Sequence, residues 1–131
     1  MIKQYELENV YLLGFKYDIH NYISICDLLV APSIINESFG RTLIEGLAQK
    51  VPLVASDIGA HSEIIDDDIN GYLYKHKSTD ELTQRISDLI TNDKLKTKFI
   101  NNGYDKYINK FRKEKMLDSL ISTFTSVNNK S

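Results

Sequence analysis

The sequence predicts an α/β fold: a Rossmann-like three-layer domain with a short parallel sheet of about four strands and a helical C-terminal third. Three observations carry this expectation. Between residues 10 and 74, brief apolar runs with Gly or Pro at one end alternate with stretches whose apolar residues recur at helical spacing. The apolar runs are short and unbroken, as strands covered on both faces are. From Ser78 onward only the helical spacing remains.

Taken in order, "NVYLLG" gives a strand at Val10 to Leu13 ended by Gly14, and Ile19, Tyr22, Ile23 and Cys26 then recur at helical spacing behind an Asp18 cap. Cys26 lies on that apolar stripe and reads as a buried thiol. "LLVAPS" gives a strand at Leu28 to Ala31, stopped by Pro32. A helix from about Gly40 to Gln49 follows, its inner face made by Leu43, Ile44, Leu47 and Ala48. "LVAS" supplies a strand at Leu53 to Ser56, then Gly59 and a short helical turn around Ser62 to Asp66. Asn70-Gly71 marks a turn into a last strand, Tyr72 to Tyr74. Ser78 and Glu81 form a capping box ahead of a stripe of Leu82, Ile86, Leu89 and Ile90. Two further helices are predicted, about Asp93 to Asn109 with Leu95, Phe99 and Ile100 inward, and about Lys113 to Phe124 with Leu117, Leu120, Ile121 and Phe124 on its apolar stripe. Residues 126–131 read as a frayed tail. With no repeat, low-complexity segment or Pro/Gly linker, residues 1–131 are expected to form a single domain.

A chain of 131 residues with 42% hydrophobic content can bury one core. Its 16 basic and 18 acidic residues leave a net charge of -2, so no basic surplus points to nucleic acid. A single cysteine offers neither a disulfide nor a metal cage, which suits a reducing cytoplasm. No apolar h-region follows the N-terminal lysine and no apolar run approaches a bilayer span, so neither secretion nor a membrane span is expected.

The stretch "NESFGRTLIEGLA", residues 36–48, holds the main functional signal. A buried helix needs its apolar face; it does not need Glu37 just outside its N-terminus and Glu45 one turn inside. In open parallel sheets, ligands gather beyond the carboxyl ends of the strands, where this loop lies. The free N–H groups of a helix start favour an anion, Gly40 allows close approach, and Arg41 adds positive charge. Glu45 is placed to accept from a cis-diol such as a ribose, and Glu37 from a second set of hydroxyls. A phosphate between two polyols describes a nucleotide sugar.

"ESFGRTLIEG" resembles the donor-binding motif of retaining, GT-B-fold glycosyltransferases of the family 4 type, in which two glutamates separated by seven residues flank a Phe-Gly turn. The likeness runs in order over about residues 10 to 125: "VYLLGF", "ICDLLVAPS" and "VPLVASDIGAHSEIIDDDINGYLY" each resemble the matching family segment. The resemblance implies the C-terminal part of a nucleotide-sugar donor domain, with Glu45 on the ribose and Glu37 positioning the transferred sugar. It also implies that the backbone of Ser38, Phe39, Gly40, Arg41, Thr42 and Leu43 meets sugar and diphosphate. The implied reaction is transfer of a hexose-type sugar from a nucleoside-diphosphate donor with retention at the anomeric carbon, without a metal or other cofactor. The N-terminal acceptor domain and the first part of the donor domain have no counterpart here, so residues 1–131 alone are expected to be inactive, and exposed apolar surface would favour self-association.

Three departures stand out: Lys50 occupies the usual Gly before the hydrophobe-Pro of the third strand, Gly59-Ala60 stands for the family's Gly-Gly pair, and Glu45-Gly46 replaces Glu-Ala, at a helix cost of ~1 kcal/mol relative to alanine. Phe15, Lys16 and Tyr17 sit on a strand-to-helix loop, where a nucleobase contact and a packing role weigh about equally. His61 lies in a loop after a strand, where it could face the donor, although a surface or locally bonded histidine is the stronger reading, and His20 and His76 carry no functional signal. Lys106, Lys110, Arg112, Lys113 and Lys115 would suit the inner face of a membrane if the acceptor were lipid-linked, although a solvated helix face is the stronger reading. Two alternatives belong to other classes: a noncatalytic nucleotide-sugar binding or regulatory module, and a flavodoxin-like interaction domain whose likeness is one of fold alone.

Overall fold

The computed structural model describes residues 7–36 and 38–128. Three parallel strands, β1 (Leu29–Ala31), β2 (Leu53–Ser56) and β3 (Tyr72–Tyr74), lie in the order β1-β2-β3. Leu29 pairs with Leu53 and Ala31 with Ala55 on one side of β2, and Val54 pairs with Tyr72 and Ser56 with Tyr74 on the other. Helices α1 (Ile19–Ser24), α2 (Arg41–Ala48), α3 (His61–Ile64), α4 (Thr79–Thr91), α5 (Asp93–Lys106) and α6 (Lys113–Asn128) complete the described fold, with a π-helical turn at Tyr107–Phe111 between the last two.

Because successive strand residues face opposite ways, β2 serves two cores. Leu53 and Ala55 pack with Leu43 and Leu47 of α2 and with Ile64 and Ile65, while Val54 packs with Tyr72, Tyr74, Leu89 of α4 and Phe99 of α5. This is the expected three-layer arrangement. Phe99 meets Tyr72 edge-to-face with centroids 4.9 Å apart, and the Arg85 guanidinium covers Tyr72 at 4.3 Å. Burial pushes the phenols of Tyr72 and Tyr74 above their ordinary range.

Glycine sets how closely α2 approaches its neighbours. A Cβ on Gly46 would stand 2.6 Å from Leu53 Cδ2 and 2.8 Å from Leu29 Cδ2, and one on Gly103 of α5 would stand 2.8 Å from Leu47 Cδ2. The Gly46 departure therefore has a packing reason that helix propensity does not see. Gly46→Ala is expected to lower stability by ~1 kcal/mol in a denaturant melt, because overpacking against fully buried Leu53 outweighs the gain in propensity. Lys50 also finds a place: it takes the left-handed conformation, φ 58°, just past α2. Its N–H bonds the Leu47 carbonyl at 3.2 Å and the Val51 N–H bonds the Gly46 carbonyl at 3.0 Å, the two bonds of a Schellman motif. Lys50 Nζ lies 4.4 Å over the Tyr104 ring, a contact glycine would lack.

The structure corrects several expectations. The sheet has three strands, because Val10 to Leu13 is irregular, with Tyr11 and Leu12 79% and 85% exposed. A strand is held by a ladder, and no described segment pairs with this one. Cys26 is exposed: α1 ends at Ser24, so the helical stripe stops at buried Ile23, and the Cys26 thiol donates to the Tyr22 carbonyl at 3.1 Å. Asp18 makes no side-chain cap bond. The capping box is half formed, since Ser78 Oγ accepts from Glu81 N–H while Glu81 accepts instead from Lys75 N–H at 2.9 Å. Ile90 points outward, one residue past the stripe that buries Leu89. The helical turn begins at His61 and ends at Ile64, ahead of the expected span, and the helix from Asp93 gives way at Tyr107 to the π-helical turn. Leu117, Leu120, Ile121 and Phe124 of α6 are exposed rather than packed, and α6 continues through residues 126–128; the end of the expected tail lies outside the described residues.

Candidate donor-binding site

The site is built where β1 and β2 end side by side. After Ala31 the chain passes Pro32, turns, and enters α2 at Gly40, which adopts the left-handed conformation with φ 63° and ψ 40°. A Cβ there would stand 2.7 Å from Ile64 Cδ1 and 3.5 Å from His61 Cδ2, so glycine is required on both backbone and packing grounds. This turn aims the start of α2 outward. The Leu43 and Ile44 N–H groups bond back to the Gly40 carbonyl at 3.0 and 3.4 Å, whereas no hydrogen bond among the described residues engages the N–H of Arg41 or Thr42. Two donors at the positive end of a helix are thus available to an anion.

Glu45 stands one turn further along. Its Oε1 accepts from Arg41 Nε at 3.0 Å, with the Arg41 side chain 84% and the Glu45 side chain 27% exposed. An exposed i,i+4 pair of this kind holds its partners loosely, at about 0.3–0.5 kcal/mol, so either group can turn to a ligand. Ser38, Phe39 and Thr42 are exposed beside it. Leu43 is different: its amide is already bonded to Gly40 and its side chain is in the core, so it anchors the helix. Glu37 lies outside the described residues. Phe39, Ile44, Glu45 and Ala48 also border an apolar groove of about 690 Å³, closed on its far side by Phe111, Met116 and Leu120.

Behind the turn lies a buried polar cluster that the sequence did not reveal. Ser56 Oγ donates to the Ser33 carbonyl at 2.9 Å, and His61 Nδ1 lies 2.8 Å from the Ser56 carbonyl and 3.5 Å from Ser56 Oγ. His61 and Ser56 are fully buried. His61 is therefore locally bonded, as one of its expected readings has it, and it is not at the surface. Phe15 and Tyr17 form an exposed edge-to-face pair 4.9 Å apart, with Lys16 Nζ over the Tyr22 ring at 5.6 Å. Of the basic residues near the C-terminus, Lys106 pairs with Asp66 at 2.8 Å, Lys110 reaches the Glu63 carbonyl at 3.4 Å, and Arg112 pairs with Glu114 at 2.9 Å. Those local partners favour a solvated face over a membrane patch. No helix among the described residues is long and apolar enough to cross a membrane.

The profile of the family described as glycosyl transferases group 1 matches residues 1–106. An uncharacterized glycosyltransferase of Methanocaldococcus jannaschii is 33% identical over 83% of this chain and 31% of its own length. The poly(ribitol-phosphate) alpha-N-acetylglucosaminyltransferase of Staphylococcus aureus is 31% identical over 96% of this chain and 26% of its own. Among solved structures, Anabaena HepE in complex with UDP superposes with a TM-score of 0.90 at 28% identity, covering 95% of this chain and 35% of HepE. A glycosyltransferase of Rickettsia africae superposes at 0.92 and 29% identity, covering 99% and 35%. The chain thus spans about a third or less of the length of these relatives.

Proposed function

The chain belongs to the glycosyl transferases group 1 family, and from that premise we propose that it is the C-terminal, donor-binding portion of a retaining glycosyltransferase of the family 4 type. The whole enzyme would transfer a hexose-type sugar from a nucleoside-diphosphate sugar to an acceptor held by an N-terminal domain. The observation that carries the reading is the start of α2: the amides of Arg41 and Thr42, which no hydrogen bond among the described residues engages, follow a left-handed Gly40, with the Glu45 carboxylate one turn behind them. In this reading the diphosphate sits on those amides and on Ser38 to Gly40, Arg41 supplies charge, and Glu45 accepts from the ribose hydroxyls. Glu37 is assigned to the transferred sugar on its place in the motif.

The chemistry asked of these groups is electrostatic. As the sugar-phosphate bond breaks, negative charge grows on the departing diphosphate, and fixed N–H dipoles with a nearby guanidinium stabilise it without reorganisation. No metal takes part in this reading. Glu37 positions the sugar rather than attacking it, since carboxylate-nucleophile chemistry normally brings a second carboxyl at fixed separation. HepE was solved with UDP and with UDP-glucose, which supports a uridine nucleotide as the first donor to try. We place the whole enzyme in the cytoplasm, at the inner membrane face if its acceptor is lipid-linked.

Calorimetric titration of UDP, GDP and ADP into the complete protein tests the proposal. Saturable binding of one of them, strongest for UDP, is expected; failure of all three would sink the donor-site reading. Binding without sugar transfer in the complete protein would favour a noncatalytic module instead. Transfer by residues 1–131 alone would contradict the inactivity expected of this portion.

A further inference from the structure

We propose that His61, acting through Ser56 and the Gly40 turn, is a positioning residue for the diphosphate end of the donor site. The inference rests on the donor-site reading above and adds to it a residue set behind the start of α2. Its ring is fully buried at the start of α3, and Nδ1 lies 2.8 Å from the carbonyl of Ser56, the last residue of β2. A carbonyl only accepts, so Nδ1 is the donor in this bond. Ser56 Oγ in turn donates to the Ser33 carbonyl at 2.9 Å, at the root of the turn that leads from β1 to α2. The ring's Cδ2 edge lies beneath Gly40, where a Cβ would stand 3.5 Å away.

One cluster therefore fixes three points: the end of β2, the exit from β1 and the left-handed residue that aims the Arg41 and Thr42 amides. An apolar side chain at position 61 would fill the space and leave the Ser56 carbonyl without this donor. Buried polar groups that are satisfied select one arrangement of the backbone around them. Here the arrangement selected is the one that orients the amides, so disturbing it should be felt by the phosphate nearest them more than by the nucleoside.

The test compares UDP with UMP in the complete protein and in His61→Leu, His61→Asn and Ser56→Ala. In His61→Leu, UDP affinity is expected to fall ~10-fold while UMP affinity changes less than about 2-fold. His61→Asn, whose side-chain N–H can replace Nδ1–H toward Ser56, should recover most of the lost ratio. Ser56→Ala, which removes the Oγ link to Ser33 and the 3.5 Å contact of Oγ with His61 but keeps the Ser56 carbonyl as partner of Nδ1, should show an intermediate drop, and it supplies the same comparison if His61→Leu fails to fold. Equal weakening of UDP and UMP, or no recovery in His61→Asn, would overturn the positioning role and leave a purely structural histidine. An unchanged UDP to UMP ratio with UDP still bound would remove this inference alone. Wild-type protein that binds no UDP would remove the donor-site reading beneath it.

Discussion

Gly40→Ala is expected to destabilise the domain by about 2–5 kcal/mol and to remove nucleotide binding with it. Two separate costs add. A non-glycine residue held in the left-handed region loses roughly 1–2 kcal/mol, and Gly40 has φ 63°. The new methyl would also stand 2.7 Å from Ile64 Cδ1, in a core where Ile64 is buried, and overpacking of that kind costs about 1–3 kcal/mol. Gly14→Ala is the natural control: φ is 64°, but nothing lies within 4 Å of the added atom. A thermal melt should show a midpoint lowered by roughly 10 °C for Gly40→Ala and much less for Gly14→Ala. Equal effects would mean that packing against Ile64 and His61 plays no part.

Glu45→Ala should have the opposite profile, leaving the fold intact while weakening UDP binding roughly tenfold to a hundredfold, the equivalent of about 1.5–3 kcal/mol of charge-assisted hydrogen bonding. The stability change should be small, because the Arg41–Glu45 pair is exposed and alanine is a better helix former than glutamate. A cycle with 2′,3′-dideoxy-UDP makes the assignment specific. If Glu45 accepts from the ribose hydroxyls, removing them should weaken binding to the wild-type protein and matter little to Glu45→Ala. A variant that binds UDP as the wild type does would show that Glu45 serves only its partner on the helix.

What the sequence made legible was what neighbouring residues decide among themselves. The bounds of β2 and β3 follow from short apolar runs between Pro52 and Asp57 and after Gly71, and α2 from apolar spacing behind Gly40. The helix start on which the candidate site is built was therefore readable. Features that depend on a distant partner were not. Val10 to Leu13 has a strand's composition, but strand identity belongs to a pair, and no described segment supplies the second member. Cys26 has the spacing of a buried residue on a helix that stops before reaching it. The Ser33–Ser56–His61 cluster joins residues 23 and 5 positions apart through one carbonyl each, and neither spacing has a periodicity to betray it. Glu45 lies between these cases: its i,i+4 relation to Arg41 is visible in the order of residues, but that order does not tell a pair on the helix from two separate ligand contacts.

Gly46 within α2 and Gly103 of α5, which faces it, have a mechanical consequence. Gly46 lets the helix lie against Leu29 and Leu53, Gly103 receives Leu47 from the other side, and the Schellman bonds at Lys50 and Val51 clamp its far end. A rod seated at its middle and gripped at its tail is restrained from sliding or rolling, which would hold the amides at its tip in register ahead of the proposed nucleotide. The conformational entropy of that alignment is given up when the chain folds rather than when the ligand binds.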